Sequence, residues 1–104
     1  MPELTPADID EILKALAHPQ RRQILVWLKT PAEAFPTHQH PFDAGVCAGK
    51  IHEKSGLSAS TMSGHLAVLQ RAGLVSTQKI GQWIYYSRNE SLIALFKREM
   101  PDVF

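Results

Sequence analysis

A mainly helical α+β fold, a helix-turn-helix followed at once by a two-stranded hairpin, is what three features of the sequence predict. Apolar residues recur at helical spacing through most of the chain. Ser55-Gly56-Leu57-Ser58 places a glycine turn and a serine cap between two helical stretches. Gly81-Gln82 then joins two runs rich in Ile, Trp and Tyr, with the glycine first as a tight hairpin turn prefers. The expected order is α-α-loop-α-α-β-β-α in one domain over residues 1–104, with a proline-rich loop insertion at 30–45.

Thr5 followed by Pro6 reads as an N-cap with proline in the first helical position. Ile9, Ile12, Leu13 and Leu16 carry that first helix to about Ala17, where His18-Pro19 breaks it and Pro19 opens a second. Arg21 and Arg22 fall on the polar side of the second helix; Ile24, Leu25 and Leu28 fall on its buried side. Pro31, Pro36 and Pro41 interrupt the next stretch, and Phe35 and Phe42 within it call for a packing partner. A short helix then runs from Val46 through Ile51 to Lys54. Ser58 caps the next, whose inner stripe is Met62, Leu66 and Leu69 and which Gly73 stops. Strands are expected at Leu74 to Ile80 and Trp83 to Ser87, with Trp83 and Tyr85 on one face and Ile84 and Tyr86 on the other. Asn89 caps a last helix carrying Leu92, Ile93, Leu95 and Phe96.

Composition narrows the classes. Hydrophobic residues make up 44% and charged residues 20% of 104 residues, as in an ordinary globular domain. The longest apolar runs are too short to span a bilayer, the first residues lack the pattern of a secretory signal, and Cys47 stands alone. These point to a cytoplasmic protein with no membrane partner. No glycine-rich phosphate loop and no acid pair in a plausible cleft is present, so an enzyme is not expected. Net charge is only +1, but its distribution is uneven. Glu3, Asp8, Asp10 and Glu11 lie at the start without a basic residue, whereas Lys50, Lys54, Arg71, Lys79 and Arg88 oppose only Glu53.

A hairpin directly after a helix-turn-helix is the arrangement of a winged helix, and its shape suits a duplex. The second helix enters the major groove N-terminus first, and the hairpin beside it reaches phosphates or the minor groove. The expected DNA-binding residues are Ser58, Ala59, Ser60, Thr61, Ser63, Gly64 and His65 on that helix, with Lys79 and Gln82 on the wing. The first five are small, which permits close approach and hydrogen bonds to bases or phosphates. Gly64 reads either as a close backbone approach to DNA or as an incidental exposed glycine, and His65 either as a phosphate donor or as a half-buried support for the turn. A winged-helix module that binds proteins without an operator of its own is the competing class.

Three stretches make the comparison with a known family specific: Leu16-Ala17-His18-Pro19-Gln20-Arg21-Arg22-Gln23-Ile24-Leu25, Gly56 through Leu66, and Leu69-Gln70-Arg71-Ala72-Gly73-Leu74-Val75. With the wing, Gly81 through Ser87, they resemble the ArsR/SmtB family of winged-helix repressors over nearly the whole chain except the proline-rich loop. The resemblance implies a homodimer joined by the first and last helices, operator DNA as partner, and release when a small inducer binds. The apolar stripes of those two helices agree, since together they exceed what so small a core needs.

The inducer is less plain. The family's arsenic-type Cys-x-Cys-x-x-Cys positions fall on Cys47, Gly49 and His52, so one thiol is kept, one ligand is lost and one becomes imidazole. The family's zinc-type site on the final helix is absent, because Ser91 to Met100 offers only Glu99. No cofactor is expected, and two signals and one bland alternative stay open. Cys47 is the candidate sensor of a redox or thiol-reactive signal, since a helix N-terminus and Lys50 one turn on make a thiol reactive. A metal ion would draw on Cys47, His52, His38 and His40. In the bland alternative Cys47 is a small buried apolar residue.

Overall fold

The computed structural model describes residues 3–37 and 44–104, and its element order follows the expected one with two short elements added after the second helix and a 3₁₀ turn added at the end. The first helix, α1, spans Pro6–Leu16. Thr5 and Asp8 close a reciprocal capping box at its start: the Thr5 hydroxyl accepts from the Asp8 N–H at 3.1 Å, and the Asp8 carboxylate from the Thr5 N–H at 2.9 Å. The second helix, α2, spans Pro19–Lys29, and its cap is His18, whose Nδ1 accepts from the Gln20 N–H at 3.1 Å. Histidine is not among the usual cap residues, which is why the sequence showed only a break there.

Arg21 and Arg22, expected merely on a polar face, fasten the two helices together. The last carbonyls of a helix have no partner within it. At the end of α1, Arg21 donates to Ala15 O at 2.7 Å and to Lys14 O at 3.1 Å, and Arg22 donates to Leu16 O at 2.7 Å. Ala15 O and Leu16 O are thereby satisfied, and Lys14 O, which already accepts from the Ala17 N–H at 3.2 Å, gains a second donor.

The first addition is a helical turn, α3, at Pro31–Ala34, inside the stretch expected as loop. Pro31 opens it, and the Phe35 N–H closes it onto Pro31 O at 2.8 Å. Phe35 is buried and stands edge-on to Trp27 of α2, with ring centroids 6.2 Å apart. Phe42, with His38 and His40, lies outside the described residues.

The second addition is a two-residue strand, β1, at Val46–Cys47. It pairs antiparallel with β3 (Trp83–Arg88), which also pairs with β2 (Val75–Ile80), giving a sheet of order β1-β3-β2. Gly45 allows the strand to enter: its φ is +103°, and a Cβ there would collide with the Tyr86 carbonyl. Val46, expected to start the short helix, instead sits opposite Tyr86, and that helix, α4, begins at Ala48 and ends at Ser55. Two residues carry no alternation to read, so this strand was not visible in the sequence.

The remaining helices are α5 at Ala59–Arg71 and α6 at Glu90–Glu99, the latter capped by Asn89, whose Oδ1 accepts from the Leu92 N–H at 3.1 Å. A 3₁₀ turn at Met100–Val103 follows. The core forms where Ile12, Ile24, Ile51, Met62, Leu69 and Val46 meet, each almost wholly buried. It welds α1, α2, α4, α5 and β1 into one frame, and α6 contributes no buried residue to it. Among the described residues no helix is long and apolar enough to cross a membrane.

Candidate nucleic-acid interface

The turn between α4 and α5 fixes how α5 is presented. Gly56 adopts the left-handed conformation at φ +69°, which ends α4, and Ser55 locks the corner by donating to His52 O at 2.7 Å and accepting from the Leu57 N–H at 3.1 Å. Ser58 then caps α5. Its Oγ accepts from the Thr61 N–H at 3.2 Å and donates to Thr61 Oγ1 at 2.8 Å, while Ser60 Oγ lies 3.4 Å away.

Burial sorts the faces of α5 cleanly. Met62, Leu66 and Leu69 point into the core, so Ser58, Ala59, Ser60, Thr61, Ser63 and Gly64 are exposed together on the opposite side. No heavy atom lies within 4 Å of where a Cβ on Gly64 would stand, so intramolecular packing does not demand a glycine there. His65 is set apart from this group. It is half-buried, with Nδ1 3.3 Å from Arg21 Nη1 and its ring 4.4 Å from that of His18. Burial, then the neighbouring His18 and Arg21, push its pKa below the usual histidine value.

The wing projects beyond the core. Gly81 at φ +61° makes the turn, and Gln82, whose φ is not positive, completes the glycine-first pattern expected of it. From Ser76 to Ile84 every residue is exposed, Lys79 and Gln82 among them. The expected two-faced alternation holds only near the base, where Tyr85 is buried and Tyr86 half-buried. Trp83 is 52% exposed because the hairpin outruns the protein it would pack against.

The basic stretch is thinner than its residue count. Lys50 pairs with Glu53 at 3.8 Å, Arg88 with Glu90 at 2.6 Å, and the Lys54 ammonium lies 5.4 Å and 5.8 Å above the Trp27 and Phe35 rings. Among the described residues, Arg71 and Lys79 have no ion-pair partner. Cys47 is half-buried, at the N-cap position of α4 and opposite Tyr85 in the sheet. His52, with Met62, Ser63, Ile84 and Tyr86, lines an open cleft of about 290 Å³ between α4, α5 and β3. Among the described residues no three His, Cys, Asp or Glu side chains are grouped to hold a metal ion. His38 and His40, offered as ligands by the sequence, lie outside that set.

A polar, serine-capped helix standing beside an exposed hairpin has counterparts among known regulators. The HTH-type transcriptional regulator YbzH of Bacillus subtilis is 41% identical over 85 residues, which cover 80% of this chain and 85% of that one. The chain belongs to the winged helix-turn-helix transcriptional regulators related to the ArsR/SmtB superfamily. The transcriptional repressor SdpR of Bacillus subtilis is 32% identical over 82% of this chain and 80% of its own length. The solved structure of HlyU from Vibrio cholerae superposes with a TM-score of 0.63 at 31% identity, covering 88% of this chain and 87% of that one. No family model matches the chain. As a member of this non-catalytic family it is a DNA-binding transcriptional regulator, not an enzyme.

Proposed function

We propose that the protein is a single-domain, cytoplasmic homodimeric repressor that reads an inverted repeat in operator DNA and leaves it when Cys47 is modified. One observation carries the DNA part of this reading: Ser58, Ala59, Ser60, Thr61, Ser63 and Gly64 form one exposed, small and mostly polar face at the N-terminal half of α5. Such a face can approach base edges closely, the helix N-terminus attracts phosphate, and Lys79 and Gln82 on the wing reach the flanking backbone. His65 contributes through its second ring nitrogen, since Nδ1 is turned inward to Arg21.

Dimerisation through α1 and α6 is supported by what these helices leave uncovered. Leu13 is 43% exposed, and Ile9, Leu16, Leu92, Ile93 and Phe96 are only half-buried. Ile12 is spent on the core, so the stripe left on α1 is narrower than its sequence pattern. Two copies joined there set their α5 helices roughly 34–36 Å apart, one turn of DNA. A repressor is named among the relatives. So is an activator, HlyU of Vibrio cholerae, which is 36% identical over 73% of this chain and keeps activation as the second reading.

The inducer reading rests on the place of Cys47. It joins β1 to α4, so a bulky or charged adduct on its sulfur displaces α4 and with it the corner that presents α5. The test is a footprint on DNA upstream of the protein's own coding sequence, with and without an oxidant, for wild type and Cys47→Ser. The expected result is protection of two half-sites that oxidant abolishes in wild type alone. Release that is equal in Cys47→Ser overturns the thiol reading, and absence of any protection at low salt overturns the operator reading.

A further inference from the structure

We propose that Arg21 is a positioning residue for DNA binding, linking the C-terminal end of α1 to His65 and so fixing the rotation of α5 relative to the helix that faces the partner copy. The inference rests on the reading of α5 as the DNA-reading helix.

The geometry is that of a three-point clamp. Arg21 Nε donates to Ala15 O at 2.7 Å, Nη2 to Lys14 O at 3.1 Å, and Nη1 lies 3.3 Å from His65 Nδ1. A guanidinium is planar, so once two of its nitrogens are bound to one helix the direction of the third is settled. That third nitrogen is aimed at the middle of α5, one turn beyond Thr61. His65 is held from its other side by the His18 ring, 4.4 Å away and tilted by 54°. His18 is itself fixed, because its Nδ1 accepts from the Gln20 N–H. Arg22 caps the same end of α1 through Leu16 O and has no bond to α5, which makes it a natural control.

The clamp has a chemical condition. Arginine only donates, so His65 Nδ1 must accept and the ring must be neutral. The groups facing His65 are His18 and Arg21; both are basic, and neither stabilises an added proton. Protonation puts a donor against a donor and loosens α5 from α1. It also adds positive charge near the DNA, which strengthens binding to any sequence. The signature of the clamp is therefore a loss of preference for the operator over unrelated DNA, not a loss of all binding.

The experiment measures affinity of the intact protein for its protected upstream fragment and for unrelated DNA of equal length, using Arg21→Lys, His65→Ala, the double variant and Arg22→Lys. Lysine keeps the charge and one carbonyl bond but cannot fork. Arg21→Lys should lower operator affinity about tenfold, should have little further effect in the His65→Ala background, and Arg22→Lys should bind as wild type does. Operator affinity unchanged by Arg21→Lys, or losses that simply multiply in the double variant, overturns the clamp. Wild type that binds neither DNA overturns the reading of α5 itself and the clamp with it. A pH profile guards against a folding defect: operator preference should fall as acid protonates His65 in wild type and stay level in His65→Asn, which has no proton to gain at that position. An equal fall in both overturns the proposal.

Discussion

Ser58 does two jobs with one oxygen. It accepts from the Thr61 N–H, which starts α5, and it donates to the Thr61 hydroxyl, which orients a residue of the exposed face. Ser58→Ala should therefore cost about 1 kcal/mol of stability, read as a lower urea midpoint, and should weaken DNA binding beyond what that loss explains. His65 makes stability depend on pH. Burial and its two basic neighbours hold it below the ordinary histidine value of 6.5. Above that value neither folded nor unfolded chain carries the proton. Below it the unfolded chain binds the proton first, so stability is present at neutral pH and lost as pH falls toward the folded value. Urea midpoints at about pH 7.5 and about pH 5.5 should differ more for wild type than for His65→Asn.

Among the elements, α5 and the wing were the most legible in the sequence, because each is announced by local chemistry. Ser58, Gly73, Gly81 and Asn89 stand where caps and a tight turn require them. What escaped notice depends on contacts between distant residues. Nothing near Val46 says that it pairs with Tyr86, and nothing near Arg21 says that α1 will end beside it. The charge pattern misled for the same reason. Lys50 and Arg88 look available along the chain but are paired in the fold, through Glu53 and Glu90. This has a measurable consequence. Where Arg71 and Lys79 supply the phosphate contacts of the basic stretch in each protomer of the proposed dimer, about four phosphates are neutralised, and log affinity should fall against log salt with a slope of about −4. A slope near −9, expected if all five basic residues of the stretch touched phosphate in both protomers, would show that those ion pairs open on DNA.

At the scale of the whole molecule, a net charge of +1 cannot hold the protein on DNA by attraction alone. In the proposed dimer, affinity comes from two copies engaging at once, each through the small polar face of α5. Any change to that face then counts twice. Ser60→Glu is the most direct probe, because Ser60 is exposed in the first turn of α5, where a carboxylate favours the helix while repelling phosphate. Measured on the protected upstream fragment at low salt, the account predicts that Ser60→Glu folds as stably as wild type yet loses at least about a hundredfold in affinity. Binding that survives this substitution undiminished would contradict the assignment of α5 as the element that reads DNA.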